Sequence, residues 1–113
     1  MKNADKIITV YAICKNEEKF VDAWMDSMSE ADHVVVMDTG STDRTVEMLE
    51  ARGAYVETKM IHPWRFDVAR NVSMGLIPDE TDIAVSTDLD EIFEPGWAQV
   101  IRDNWEEDTD AIA

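Results

Sequence analysis

Asp88 and Asp90 stand two positions apart, directly after an apolar segment of the chain. In an extended chain, residues i and i+2 point to the same side, so both carboxylates can approach one cation. Two hard oxygen ligands without a neighbouring cysteine or histidine suit Mg²⁺ or Mn²⁺, which keeps its other coordination positions for water and phosphate. The same residues could instead form an acidic, solvated turn before a helix, and the spacing alone leaves both interpretations open.

A second carboxylate, Asp38, ends another apolar segment and is followed by the turn-forming residues 39–41. Asp-Thr-Gly-Ser also occurs in aspartic proteases, but those proteins are nearly all β, whereas this sequence has four amphipathic helical segments and few glycines. We therefore predict that Asp38 faces a ligand while Gly40 and Ser41 turn the chain into a helix. Asp43 is expected in the first turn of that helix, where the helix dipole favours a carboxylate.

Arg70 is the basic residue most suited to binding, because it stands next to Asn71 and could reach a phosphate or a base edge. Arg65 is interpreted as a member of a surface ion pair in an acidic protein. His33 and His62 have no cysteine or histidine partner at metal-ligand spacing, so we assign both histidines a structural role rather than metal binding.

Strand-like and helix-like segments alternate along the chain. The predicted strands are Ile7–Ile13, His33–Asp38, Ala54–Thr58 and Asp82–Thr87. A helix is expected after each strand. The first helix is expected to carry an apolar stripe along one face, made of Phe20, Val21, Trp24, Met25 and Met28. The order predicts a Rossmann-like α/β fold with a parallel sheet and helices on both faces. In such sheets ligands bind beyond the carboxyl ends of the strands, where the strand order reverses, and the candidate residues follow strands one, two and four.

Helix limits follow from capping residues. Asn16 is the predicted cap of the first helix, Ser41 or Thr42 that of the second, and Gly53 is placed to end the second. The third helix is expected near Phe66–Gly75. The last helix is expected to open at Pro95, with Trp97, Ile101 and Trp105 along one face. Residues 110–113 resemble the start of a fifth strand, so the chain is expected to be part of a larger domain.

Composition limits the function. The chain has 113 residues, with 10 Lys+Arg against 25 Asp+Glu and a formal net charge of −15. This length suits one domain. The charge disfavours nucleic acid and anionic membrane surfaces as partners. A single cysteine, Cys14, favours the reducing cytoplasm, and no apolar run reaches the ~20 residues of a membrane span.

Four ordered segments together resemble the N-terminal, nucleotide-sugar-binding half of family 2 glycosyltransferases, which have the GT-A fold. The segments are Ala12–Glu18, Val35–Thr45, Trp64–Asn71 and Asp88–Glu91. They span nearly the whole chain. The resemblance implies that residues 1–113 are the nucleotide-sugar-binding part of a glycosyltransferase domain that is incomplete at its C-terminus.

The resemblance also implies roles for particular residues. The donor would be a nucleotide-diphosphate sugar, most simply a UDP-sugar, bound with Mn²⁺ or Mg²⁺ for transfer to an acceptor that the sequence does not name. The nucleotide-binding residues would be Cys14, Asn16, Glu17, Asp38, Arg70 and Asp88. Asp38 would contact the base or ribose, Arg70 would help to hold the nucleotide, and Asp88 would lie against the ribose. Asp90, with Asp88, would bind the cation.

In inverting members of the family, the catalytic base comes from the second half of the domain. This chain alone is therefore expected to transfer no sugar and, through exposed apolar surface, to self-associate. The alternative is a non-catalytic nucleotide-binding or interaction module. A flavodoxin-like or phosphoacceptor domain is disfavoured, because such a domain needs an acidic cluster after strand one and residues 14–16 lack it.

Overall fold

The structure is a computed structural model that describes residues 6–60 and 66–104. Strands and helices alternate as the sequence predicts. The elements are β1 (Ile8–Cys14), α1 (Glu18–Met28), β2 (His33–Asp38), α2 (Thr45–Ala51), β3 (Tyr55–Thr58), α3 (Phe66–Met74), β4 (Ile83–Ser86) and α4 (Trp97–Asn104). The predicted fifth strand at residues 110–113 and Trp105 lie outside the described residues.

All strands pair in parallel in the order β3-β2-β1-β4. The chain builds outward from β1 through β2 to β3, and then crosses back so that β4 pairs with the other side of β1. Strand order therefore reverses between β1 and β4. The carboxyl ends of these two strands border the crevice in which α/β proteins bind ligands.

The central strand β1 forms where the sequence predicts an apolar strand. Its residues are nearly all buried, as expected when helices cover both faces of a parallel sheet. Ile8, Val10 and Ala12 on one face pack in a single cluster with Val21 and Trp24 of α1. The apolar stripe predicted for the first helix is confirmed.

α3 covers the other face of the sheet. It contacts β1 and β2, and its Ala69 and Ser73 are fully buried without joining the cluster around Trp24. By contrast, α1 and α2 contact each other on the first face. Helices thus lie on both faces, and the predicted fold class is confirmed. Within residues 6–60 and 66–104, none of the helices has the length and apolar character needed to cross a bilayer.

Three of the predicted helix starts are wrong. Asn16 does not cap α1, which begins at Glu18, since the Asn16 side chain turns to the next loop. Ser41 and Thr42 do not cap α2, which begins at Thr45. Their polar groups bond instead to Asp38 and Asn16. Asp43 also lies before the helix rather than in its first turn, although its Oδ1 accepts the Thr45 N–H at 3.0 Å.

Pro95 does not open α4, which begins two residues later at Trp97. The first N–H groups are bound by a side chain that follows the end of α1. Glu30 accepts the N–H of Gly96 at 2.7 Å and the N–H of Ala98 at 3.1 Å. A carboxylate that is distant in sequence therefore supplies the cap.

The predicted end of α2 at Gly53 is confirmed. Gly53 has φ 98°, a left-handed conformation that glycine adopts without steric cost. Its N–H donates to Glu50 O at 3.0 Å, and the Ala54 N–H donates to Leu49 O at 3.0 Å. This pair of bonds is the Schellman motif, which satisfies the last carbonyl groups of a helix.

Candidate functional site

Three loops meet at the carboxyl edge of the sheet. The first follows β1 and contains Glu17, the second follows β2, and the third, residues 87–92, follows β4. Cys14 ends β1 directly beside Asp38, the last residue of β2. The loops after β1 and β4 flank the position where strand order reverses.

The loop after β4 exposes Asp88 and Asp90 and buries Leu89 completely between them. The sequence predicts an extended segment for Asp88 and Asp90, but the structure has a turn, in which the Glu91 N–H donates to Asp88 O at 3.0 Å. Leu89 belongs to the hydrophobic core cluster. The loop is thus anchored by an apolar side chain while the paired aspartates remain accessible.

Glu91 closes this turn from the other end. One of its carboxylate oxygens, Oε1, accepts the Asp88 N–H at 2.8 Å and the Thr87 hydroxyl at 3.1 Å. Thr87 is 4% exposed, and its N–H donates to Tyr11 O of β1 at 3.3 Å. The acidic turn is therefore tied to the end of the β1–β4 pair.

The carboxylates around this turn repel one another. The pKa of Asp88 is raised by partial desolvation and then by the charges of Glu91 and Asp90. Across the crevice, the pKa of Glu17 is raised by partial burial and then by the charges of Asp90 and Asp88. Glu17 therefore lies near the paired aspartates, and the three groups form a negative patch between two loops.

This patch suits a divalent cation that brings other ligands with it. No ion pair among the described residues neutralises Glu17, Asp88 or Asp90. Among the described residues, no three or more His, Cys, Asp or Glu side chains are grouped so that they could hold a metal ion. Hard carboxylate oxygens in an incomplete set fit Mg²⁺ or Mn²⁺, which is usually held by one or two carboxylates plus waters and phosphates.

Asp38 is 1% exposed, and its oxygens already accept hydrogen bonds from the following turn. Oδ2 accepts the N–H of Gly40 at 3.1 Å and of Ser41 at 3.0 Å, while Oδ1 accepts the Ser41 hydroxyl. The role visible in the structure is to shape this turn, where Gly40 has φ 120° as its predicted turning role requires. Contact of Asp38 with a nucleotide stays a prediction.

Cys14 is buried beside Asp38. Burial raises the pKa of its thiol, and the charge of Asp38 raises it further. The thiol therefore stays protonated and donates to Asp38 Oδ1 at 3.6 Å. The Cys14 carbonyl accepts the N–H of Thr39 at 3.0 Å and its hydroxyl at 3.2 Å. Cys14 thus holds the turn after β2 through its backbone carbonyl.

Asn16 joins the loops after β1 and β2. Its N–H donates to Ser41 Oγ at 2.8 Å, and its Oδ1 accepts the Thr42 N–H at 2.7 Å and the Thr42 hydroxyl at 3.4 Å. These bonds join residues that are 25 and 26 positions apart and have no local signal in the sequence. The nucleotide-binding role expected of Asn16 stays a prediction.

The starts of α1 and α2 cap each other. Glu18 Oε1 accepts the Arg44 N–H at 2.8 Å, and Asp43 Oδ2 accepts the Glu18 N–H at 3.4 Å. Thr45 Oγ1 accepts the Glu17 N–H at 2.9 Å. Only the pairing of Asp43 with Thr45 carries a sequence signal, because an aspartate commonly bonds the backbone two residues on.

The remaining candidates lie away from these loops or outside the described part. The backbone of Arg70 lies in α3, but its side chain is outside the described residues, as are Arg65 and His62. His33, at the amino end of β2, bonds to Glu80. The structural role assigned to His33 agrees with this position.

Comparison with known structures shows that the chain is similar to part of glucosyl-3-phosphoglycerate synthase from Mycobacterium tuberculosis. For its complex with uridine-diphosphate, the identity is 29% and the TM-score 0.65, over 80% of this chain and 36% of that chain. For its complex with Mn²⁺, uridine-diphosphate and glucosyl-3-phosphoglycerate, the identity is 28% and the TM-score 0.62, over 76% of this chain and 34% of that chain. This chain therefore spans about a third of the length of these GT-A glycosyltransferases.

Curated protein sequences show no match to the chain. The family described as glycosyl transferase family 2, however, matches residues 9–113, which is nearly the full sequence. The parallel sheet, the crevice between β1 and β4 and the acidic turn beside it agree with this match. The chain belongs to glycosyl transferase family 2.

Proposed function

We propose that this chain forms the donor site of a metal-dependent glycosyltransferase, which binds a nucleotide-diphosphate sugar, a UDP-sugar, for transfer to an acceptor. The observation that carries the proposal is the exposure of Asp88 and Asp90 in the turn after β4, at the reversal of strand order. Structures of the mycobacterial synthase contain uridine-diphosphate with Mn²⁺ or Mg²⁺, which supports the choice of nucleotide and cation.

In this proposal each loop has a separate task. Asp90 and Asp88 would hold the cation, which when bound neutralises charge on the departing nucleoside diphosphate. Glu91 and Leu89 hold the turn that carries these aspartates.

The nucleoside side of the site would be built from the loops after β1 and β2. Cys14, Asn16 and Glu17 would line it, partly through backbone groups. Asp38 would contact the base or ribose, and Arg70 would hold the nucleotide from α3. The burial of Asp38 and the bonds of Asn16 give these loops a fixed shape.

We further propose that this chain binds the donor without transferring sugar by itself. Glu91 is the carboxylate nearest in sequence to the paired aspartates, and its Oε1 already accepts two hydrogen bonds. Such a bound carboxylate is poorly placed to take a proton from an acceptor. The alternative is a non-catalytic nucleotide-binding or interaction module, which would also bind UDP. A cytoplasmic location belongs to the same proposal.

The Asp90→Ala variant tests the metal site. Calorimetric titration with UDP is run on wild type and variant, once with Mn²⁺ and once with EDTA. We expect the variant to lose most of the affinity that Mn²⁺ adds. Because Asp90 is an exposed residue in a turn, its removal should change the free energy of unfolding by no more than about 0.5 kcal/mol.

Glu94→Ala is the matched control, because it removes one negative charge from an exposed position four residues further along the chain. This control should keep the full gain from Mn²⁺. A gain of wild-type size in Asp90→Ala would show that the paired aspartates do not bind the cation, and the solvated-turn interpretation would stand. GDP and dTDP in the same titration identify the base.

A further inference from the structure

The loops after β1 and β2 are tied together by one residue, Asn16. Its φ of 54° is left-handed, a region that residues other than glycine rarely adopt and that asparagine tolerates best. The conformation is held by the bonds of Asn16 to Ser41 and Thr42, residues 25 and 26 positions later.

These bonds continue to the buried carboxylate at the end of β2. Ser41, which accepts the Asn16 N–H, donates its own N–H to Asp38 Oδ2 at 3.0 Å and its hydroxyl to Asp38 Oδ1. Asp38 in turn lies beside Cys14 in the strand register. Backbone pairing and side-chain bonds together close a ring that runs through both loops.

The acidic turn after β4 is attached in a different way. It is anchored through Leu89 in the core and through Thr87 on β1, and no hydrogen bond among the described residues joins it to Asn16 or Ser41. A change at Asn16 can therefore act on the nucleoside side of the crevice without moving the paired aspartates.

We propose that Asn16 is a positioning residue that fixes the distance between these two loops and, through Ser41, the orientation of Asp38. This inference rests on the proposed function. Asn16 acts through the loop after β2, since its Oδ1 is occupied by Thr42. Substitution of Asn16 should therefore change the affinity for the nucleoside, whereas substitution of Asp90 should change the affinity that the metal adds.

The test compares Asn16→Gly with Asn16→Asp. Glycine permits the left-handed conformation but removes the side-chain acceptor, while aspartate tolerates that conformation and keeps an acceptor. Uridine and guanosine are the nucleoside probes, titrated by NMR, because they are uncharged and insensitive to the charge that Asn16→Asp adds. UDP with Mn²⁺ or EDTA is the metal probe.

We expect Asn16→Gly to bind uridine about tenfold more weakly and to distinguish it less from guanosine, because a displaced polar group leaves its partner unpaired. The factor by which Mn²⁺ strengthens UDP binding should stay within about twofold of wild type, because the turn that carries Asp88 and Asp90 is anchored separately, through Leu89 and Thr87. Asn16→Asp should recover most of the uridine affinity. Ser41→Ala, which breaks the same ring from the other side, should reproduce the Asn16→Gly pattern and covers the case in which Asn16→Gly does not fold.

Two results would overturn the inference. Unchanged uridine affinity and base preference in both Asn16→Gly and Ser41→Ala would show that the ring does not shape the site. Equal loss in Asn16→Asp and Asn16→Gly would indicate that the Asn16 amide itself touches the nucleoside. Failure of the proposed function looks different, since wild type would then show neither uridine binding nor a gain from Mn²⁺.

Discussion

The Asp43 carboxylate accepts hydrogen bonds from two helix starts at once. It bonds the N–H of Glu18 at 3.4 Å, and the N–H and hydroxyl of Thr45 at 3.0 and 2.5 Å. The Thr45 hydroxyl is the main cause that lowers the pKa of Asp43, and the backbone donors add to it. Since the pKa is lower in the folded chain than in the unfolded chain, ionised Asp43 stabilises the fold. This stabilisation is complete above the unfolded pKa and is lost as pH falls through the folded one.

We therefore expect Asp43→Asn to melt at a lower temperature than wild type at pH 7. The difference should shrink once the pH drops below about 3.9, the ordinary pKa of an aspartate, and disappear in stronger acid. Thermal melts followed by circular dichroism across this range check the prediction, with Glu94→Gln as the control for loss of one charge. A difference that is constant with pH would contradict the assigned cause.

Leu89 is a second residue with a defined energetic role. It is fully buried between two exposed aspartates. Leu89→Ala should lower the free energy of unfolding by about 2–5 kcal/mol, the range found when a buried leucine leaves a cavity. Ile92→Ala, in the same loop but at a position that is 56% exposed, should cost far less. Urea unfolding of both variants measures this. Equal costs would mean that Leu89 does not anchor the turn.

Among the elements, the ones with a strong local signal were predictable. β2 was predicted at His33–Asp38, as the structure has it, because four apolar residues follow one another there, of which Val35, Val36 and Met37 are buried. α1 was predicted from the spacing of Val21, Trp24 and Met28, which all face the core. Both signals come from residues close together in sequence. An apolar run of strand length or an apolar stripe of helical period is sufficient to predict such elements.

The third helix was predicted to begin near Phe66, as the structure has it, but the starts of α1, α2 and α4 were not predictable, for a physical reason. At each of these starts a carboxylate from a distant segment accepts a backbone N–H: Glu18 binds Arg44, Asp43 binds Glu18, and Glu30 binds Gly96. The one local bond is that of Asp43 with the Thr45 N–H. Local capping rules consider only the neighbours of a helix and therefore chose Asn16, Ser41 or Thr42, and Pro95. The candidate site shows the same limit. Its acidic pair was visible in sequence, but the proximity of Glu17 required the β1–β4 pairing.

At the scale of the whole molecule, charge and exposed apolar surface oppose each other. The net charge is −15, while Ile92 and Val100 are 56% and 60% exposed. We expect the chain to form a dimer or larger species, more so at high salt, because salt screens the repulsion between copies. Sedimentation velocity at low and high NaCl measures this. A monomer under both conditions would contradict the expectation.

The mutual capping of α1 and α2 affects how a nucleotide can reach the crevice. Free helix N-termini attract anions, but here Glu18 and Asp43 already occupy N–H groups at these two ends with negative charge. A diphosphate approaching on its own would meet acidic side chains at both. In the proposed function, the species that enters is therefore the metal chelate of the nucleotide. Sulfate or phosphate buffers should compete little for the protein, whereas citrate should weaken nucleotide binding by sequestering the metal.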